Sequence, residues 1–339
     1  MTEQKHANVA LFVPHAGCPH DCCFCNQRTI AGTSKPLSAE DVTAACEEAL
    51  RTLPADRRAQ IAFFGGSFTA IERETMEALL RAAQPFLQSG RFDGIRLSTR
   101  PDAVDEERLR LLAHYGVTAI ELGAQSMDDR VLKACGRGHT AADTVRAAAL
   151  IHRYGFSLGL QMMTGLPADT EDGARRTAKA LAALRPDTVR IYPTVVLRGT
   201  PLEARMREGR YTPPSLDETV ALCAELLAYF EQTCGIPVIR LGLHDGEALR
   251  REAVAGGYHP ALRELCEGQL YVNTALAVLT HMAPPQPDTV YTLRVHPKAV
   301  SKMIGQRKRN RQRLAREGYT VRVTADPDVP LWEVRAEKG

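Results

Sequence analysis

Cys18, Cys22 and Cys25 share one short run, Cys18-Pro-His-Asp-Cys22-Cys23-Phe-Cys25. The C-x3-C-x2-C spacing puts three thiolates on one tight loop. A cubane iron–sulfur cluster is held by cysteine thiolates, so three donors would leave one iron open to a further ligand. Zinc is the competing metal, with His15 or His20 available to complete a set of four. A redox dithiol would use Cys22 and Cys25 and leave Cys18 unexplained. Cys23 breaks the spacing and is read as unligated. The remaining cysteines, Cys46, Cys135, Cys223, Cys234 and Cys266, are scattered and read as small buried hydrophobes.

The elements that must position this loop follow from hydrophobic periodicity. Strands are expected at Val9–Val13, Ile61–Phe64, Ile95–Ser98, Ala119–Leu122, Leu158–Met162 and Val189–Pro193, with helical patterns between them. Ser38 followed by Asp41 signals one helix start, and Gly116 and Gly155 sit where a left-handed cap ends a helix. Six strands alternating with helices imply right-handed crossovers and a parallel sheet. Ligands of such sheets gather at the carboxyl ends of the strands. The chemically interesting residues fall there: the cysteine run after the first strand, Phe64-Gly65-Gly66-Ser67 after the second, Ser98, Gln125 and Gln161 near later ends. A further strand is expected at Val238–Leu241, helices at Leu216–Gln232 and Ala261–His281, then a proline-rich linker.

The 339 residues carry a formal net charge of +3, with 44% hydrophobic and 24% charged residues. That is globular composition, and it excludes a polycation or a disordered chain. No apolar run reaches the roughly 18 residues of a spanning helix. The polar start carries no export signal, so a cytoplasmic protein with reduced thiols and no membrane association is expected.

The cysteine loop, with an aromatic residue before its last thiolate, resembles the radical S-adenosylmethionine (SAM) superfamily. The resemblance implies an α/β fold, a partial (β/α)6 barrel. It also implies a [4Fe-4S] cluster on Cys18, Cys22 and Cys25, with SAM on the fourth iron and an electron donor such as flavodoxin or ferredoxin. By the same resemblance, Gly65, Gly66, Ser67, Ser98, Gln125, Arg137 and Gln161 surround SAM. Arg137 has the planar fork that suits the methionine carboxylate. In the oxygen-independent coproporphyrinogen oxidase branch the positions of Ser98 and Gln161 are usually acidic, and this sequence departs there. Ile191–Thr200, Glu208–Tyr211, Glu121–Ser126, Arg137–Thr140 and Met162-Met163 are more similar to the Elongator catalytic branch, which modifies wobble uridines of tRNA. Two features depart from that branch: the close spacing of Cys18 and Cys22, and a tail of about seventy residues, short for an acetyltransferase domain. The acyl donor is therefore not carried over.

Between Lys298 and Gly318 stand eight Lys or Arg residues and one acidic residue. The order of expected elements is a strand at Val290–Val295, helices at Lys298–Ile304 and Arg307–Glu317, and strands at Tyr319–Thr324 and Leu331–Val334. It resembles a KH-like RNA-binding fold, in which a loop between the helices clamps nucleotide backbone. Gly305-Gln306-Arg307-Lys308 would be that loop, and Gly305, Arg307, Lys308, Arg309 and Arg311 the RNA contacts. Trp332 is read as core. The expected organisation is a barrel with helical extension over 1–282, a linker over 283–288 and a basic KH-like α+β domain over 289–339. The expected function is a radical SAM enzyme modifying RNA. The alternatives are the same chemistry on a small molecule such as a porphyrin, or a non-enzymatic RNA-binding protein with a structural metal loop. Tyr192, at the end of the sixth strand, is either a substrate contact, an electron relay or simply packed.

Overall fold

The computed structural model describes residues 7–13, 22–26, 35–54, 56–282, 284–286 and 288–339. Cys18, His15 and His20 lie outside the described residues.

The strands are β1 (Ala7–Val13), β2 (Ala59–Gly65), β3 (Phe92–Thr99), β4 (Val117–Gln125), β5 (Ser157–Thr164), β6 (Thr188–Pro193), β7 (Val195–Leu197), β8 (Val238–Leu241), β9 (Ala253–Gly256), β10 (Val290–Val295), β11 (Thr320–Ala325) and β12 (Arg335–Lys338). The main sheet has seven parallel strands in the order β1-β2-β3-β4-β5-β6-β8. All six expected barrel strands are present and lie side by side in chain order, which right-handed crossovers dictate. The Val238–Leu241 strand joins them as a seventh. The sheet is a curled half-barrel. Its outer face, with Leu11, Ile61, Phe63, Ile95, Leu97, Ile120, Leu122, Leu158, Leu160, Val189 and Ile191, packs under the helices in one apolar core.

Helix ends obey local chemistry. Ser38 caps the Ala39–Thr52 helix, accepting from the Asp41 N–H while the Asp41 carboxylate accepts from the Ser38 N–H at 3.0 Å. Gly116 and Gly155 take the left-handed conformation just past their helices, as expected. β7 and β9 form a small antiparallel pair that periodicity did not reveal, because three- and four-residue strands carry too few repeats to show one.

The C-terminal part is a three-stranded sheet in the order β11-β10-β12, with β10 parallel to β11 and antiparallel to β12. Two expectations are corrected here. The closing strand is Arg335–Lys338, not Leu331–Val334: Trp332 has φ 73° in a turn, and that conformation interrupts a strand. The second helix starts at Arg309, not Arg307. Arg307 and Lys308 have φ 51° and 62°, which a right-handed helix excludes.

The Leu262–Met282 helix is shared by both parts. Leu262 and Cys266 belong to the barrel core. Tyr271, Val272, Ala275 and Leu279 belong to a second core with Tyr291, Leu293, Val295, Met303, Leu314 and Val321. Trp332, expected in the core, is half-buried: it stacks on Tyr271, ring centroids 5.6 Å apart, and packs against the edges of both cores. Among the described residues no helix is long and apolar enough to cross a membrane.

Candidate functional site

β1 runs into the segment that carries the cysteines. The Cys25 N–H donates to the Cys22 carbonyl at 2.9 Å, so the two residues share one bend. Cys22 is buried and Cys25 half-buried. Cys23 packs in an apolar pocket with Val131, Cys135, Met163, Leu166, Val196 and Leu202. Its backbone is held on both sides, donating to Cys135 O and accepting from Leu202 N, each at 2.9 Å. Cys46, Cys135, Cys223 and Cys266 are fully buried, and burial pushes the Cys46 thiol up to about 11 and that of Cys223 to about 12. These thiols behave as small hydrophobes, and Cys234 is half-buried.

Gly65 and Gly66 end β2 beside the start of this segment. Gly65 has φ 104°, and a Cβ there would stand 3.2 Å from the Val13 carbonyl oxygen, so the backbone tolerates only glycine. The Gly66 N–H donates to Val13 O at 2.7 Å. Ser67 is fully buried, its hydroxyl 2.8 Å from Thr99 Oγ1 and accepting from the Arg100 N–H at 3.1 Å. That hydroxyl ties the end of β2 to the end of β3. Ser98 is half-buried and in register with Glu121.

Arg137 comes from the loop after the short Asp129–Ala134 helix. Its Nη1 donates to Cys22 Sγ at 3.4 Å and its Nη2 to Gly123 O at 2.9 Å, while Nε is buried without a hydrogen-bond partner among the described residues. Gln125, at the end of β4 with φ 64°, accepts from Gln161 Nε2 at 3.0 Å. Gly123 lies beneath it; a Cβ there would stand 2.8 Å from Gln125 Nε2. Cys22, Gly123, Gln125, Arg137 and Gln161 thus form one connected group. His139 closes it from below: Nε2 is 3.1 Å from Ala124 O, and burial, then the Arg137 charge, lower its pKa to about 4. At neutral pH its Nε2–H donates to that carbonyl and the ring carries no charge. Tyr192 is half-buried and its hydroxyl accepts from Arg190 at 3.4 Å.

These residues fit an iron–sulfur cluster and its organic ligand. The donors are sulfur, a cation stands against one of them, and a buried guanidinium nitrogen lacks a protein partner among the described residues.

In the C-terminal part, Gly305 has φ 74° and lies against Asn310, 2.9 Å from where a Cβ would stand. Arg309 forms an ion pair with Asp217 at 2.6 Å, and Lys302 one with Glu267 at 2.6 Å. Arg307, Lys308 and Arg311 are exposed and have no protein partner among the described residues. The left-handed Lys308 backbone occupies the position where a GXXG loop has its second glycine.

A group of charged residues was missed by motif reading: Arg96, Glu121, Arg190 and Arg240. Each is a single charge between apolar residues in a strand, and that pattern was the available signal.

A sequence model described as the radical SAM superfamily matches residues 12–181, and one described as the radical SAM C-terminal domain matches 186–271. A tRNA uridine(34) acetyltransferase of Dehalococcoides mccartyi is 34% identical over 144 residues, 40% of this chain and 30% of that protein. An uncharacterized protein of Methanocaldococcus jannaschii is 27% identical over 229 residues, 63% of this chain and 69% of that one. Elongator complex protein 3 of Homo sapiens is 32% identical over 177 residues, 48% of this chain and 32% of that protein. The match thus spans about a third of the length of the acetyltransferase and Elongator relatives. Among solved structures, archaeal Methanocaldococcus infernus Elp3 with an N-terminal deletion superposes with a TM-score of 0.64 at 20% identity, covering 85% of this chain and 70% of that one. That likeness is one of fold.

Proposed function

We propose that this chain, which belongs to the radical SAM superfamily, modifies RNA, with tRNA as the first candidate. Members of the superfamily are enzymes that use a [4Fe-4S] cluster and SAM. When bound, the cluster supplies the electron that cleaves SAM to methionine and a 5′-deoxyadenosyl radical.

In this reading Cys18, Cys22 and Cys25 hold the cluster, and Arg137 Nη1 meets the Cys22 sulfur at 3.4 Å. The Nε of Arg137, without a partner among the described residues, offers a donor to the methionine carboxylate. Gln125 and Gln161 hold each other in place for ribose hydroxyls. Gly65 and Gly66 let the ligand approach the backbone at the end of β2. Ser67 positions this turn through Thr99 and Arg100. Neutral His139 fixes the Ala124 carbonyl beside Gln125 and adds no charge.

One observation carries the RNA half of the reading. Arg307 and Lys308 in the turn and Arg311 in the helix after it stand exposed, with no ion-pair partner among the described residues, whereas the neighbouring Lys302 and Arg309 are engaged within the protein. Unpaired cations beside exposed backbone suit phosphate oxygens. The similarity to tRNA uridine(34) acetyltransferases supports the choice of tRNA. The barrel over 1–282 carries the chemistry, and the part over 289–339 guides the RNA. Soluble cytoplasmic residence and supply of electrons by flavodoxin or ferredoxin belong to the same proposal.

The test has two arms. Anaerobically reconstituted protein with reductant and SAM is expected to yield 5′-deoxyadenosine. Mass spectrometry of RNA nucleosides from cells with and without the protein is expected to show one modified nucleoside that disappears. Absence of 5′-deoxyadenosine refutes the chemistry, and an unchanged nucleoside profile refutes the RNA substrate.

A further inference from the structure

A polar layer lies on the inner face of the sheet, on residues that the site above does not use. Glu121 on β4 is central to it. Its Oε1 accepts from Arg96 Nη1 of β3 at 2.8 Å and from Arg190 Nη2 of β6 at 2.6 Å. Gly159 on β5 makes room for it, since a Cβ there would stand 2.9 Å from Glu121 Cγ. Arg96 Nε donates to Gln60 Oε1 at 3.0 Å. The Arg190 guanidinium lies over the Phe64 ring, 4.9 Å from its centroid, and its Nε is buried with no hydrogen-bond partner among the described residues. Arg240 on β8 is the register partner of Arg190, and its Nε donates to Gly242 O at 3.2 Å. Among the described residues no carboxylate lies within ion-pair distance of Arg240.

Two guanidinium groups therefore share one carboxylate, and a third, that of Arg240, stands in register beside Arg190. The side chains of Arg96, Glu121 and Arg190 are 16%, 6% and 14% exposed, so water screens the excess positive charge poorly. Burial and the Arg190 charge push the Arg240 pKa down, and burial, then Arg240 and Arg190, do the same to His244. The layer thus carries more positive than negative charge. Asn8, Ala10 and Phe12 on β1 are exposed on the strand face opposite buried Leu11 and Val13. Arg190 is also the register partner of Gln161, so the layer adjoins the proposed SAM site.

We propose that Arg96, Arg190 and Arg240 recognise the carboxylate or phosphate of a small organic molecule that enters the barrel lumen as a reactant. Planar guanidinium forks bind such oxyanions in a fixed orientation. The layer sits at mid-strand, below the strand ends where a polymer would dock, which favours a small molecule over RNA backbone. The inference rests on the reading of the lumen as the reaction chamber and names the chemistry of its second occupant.

The test measures thermal unfolding of the full chain at constant ionic strength with acetate or inorganic phosphate replacing chloride. A saturable rise in Tm with at least one anion is expected for the unaltered protein. Arg240→Gln strands no buried carboxylate, so it should fold, and its apparent anion affinity should fall about tenfold. Arg240→Lys, which keeps the charge, should retain part of the response. Circular dichroism verifies the fold of both variants, and RNA affinity should not change in either. No saturable rise in the unaltered protein, or an equal rise in Arg240→Gln, overturns the inference. Weakened RNA binding in Arg240→Gln overturns it in favour of an RNA phosphate as occupant. Formation of 5′-deoxyadenosine, measured separately, reports on the radical chemistry alone.

Discussion

Replacing His139 with glutamine should flatten the pH dependence of stability below neutrality. His139 is 3% exposed, and its pKa falls from 6.5 to about 4, first because burial disfavours the charged ring and then because Arg137 repels it. Unfolding returns the ring to water, where it takes a proton near pH 6.5. Between pH 6.5 and 4 the unfolded chain therefore binds more protons than the folded one, and stability falls as pH falls. The two pKa values give a loss of about 2 kcal/mol on going from about pH 7.5 to about pH 5, at roughly 1.36 kcal/mol per pKa unit. The glutamine of His139→Gln can still donate an amide N–H to Ala124 O but cannot titrate. Urea unfolding of both proteins at about pH 7.5, 6 and 5 tests this, and the unaltered protein should lose about 2 kcal/mol more than the variant over that range. Parallel curves would refute the argument, because they would mean that His139 titrates normally and that the ring beside Arg137 is not neutral through burial.

Glu121→Gln removes the one counter-charge that Arg96 and Arg190 share; a loss of about 3 kcal/mol is expected in urea unfolding. Gly305→Ala forces a Cβ into Asn310 at a φ of 74° and should cost more than about 1 kcal/mol. Arg309→Ala breaks only an exposed pair with Asp217, and its effect on urea unfolding should stay below about 1 kcal/mol. Arg307→Ala and Lys308→Ala should each lower the slope of log RNA affinity against log salt by about 0.7, measured by filter binding, with no change in Tm.

The strands were legible because their outward residues alternate with inward ones. Gly65 was read as a ligand contact; the structure shows a further reason for glycine there, a φ of 104° with the Val13 carbonyl oxygen 3.2 Å from where a Cβ would stand. What the sequence hid was partnership. Ser67 was read as a ligand contact, and residue type alone did not disclose that its hydroxyl also ties Thr99 and Arg100 together. The basic run was read as helix from Arg307, because residue type does not disclose that two successive residues adopt left-handed backbone. The guanidinium layer was invisible to motif reading because its members are one per strand, separated by whole crossovers, and meet only once the sheet is curled.

The shared Leu262–Met282 helix sets the terms on which the two halves can be separated in the laboratory. Cutting the chain after this helix would leave Tyr271, Val272, Ala275 and Leu279 facing solvent. Such a deletion would produce a sticky, self-associating protein, and any loss of RNA binding in it would report damage instead of a missing contact. Point changes at Arg307, Lys308 and Arg311 leave the shared helix clothed, and they are the means by which the role of the tail is to be judged.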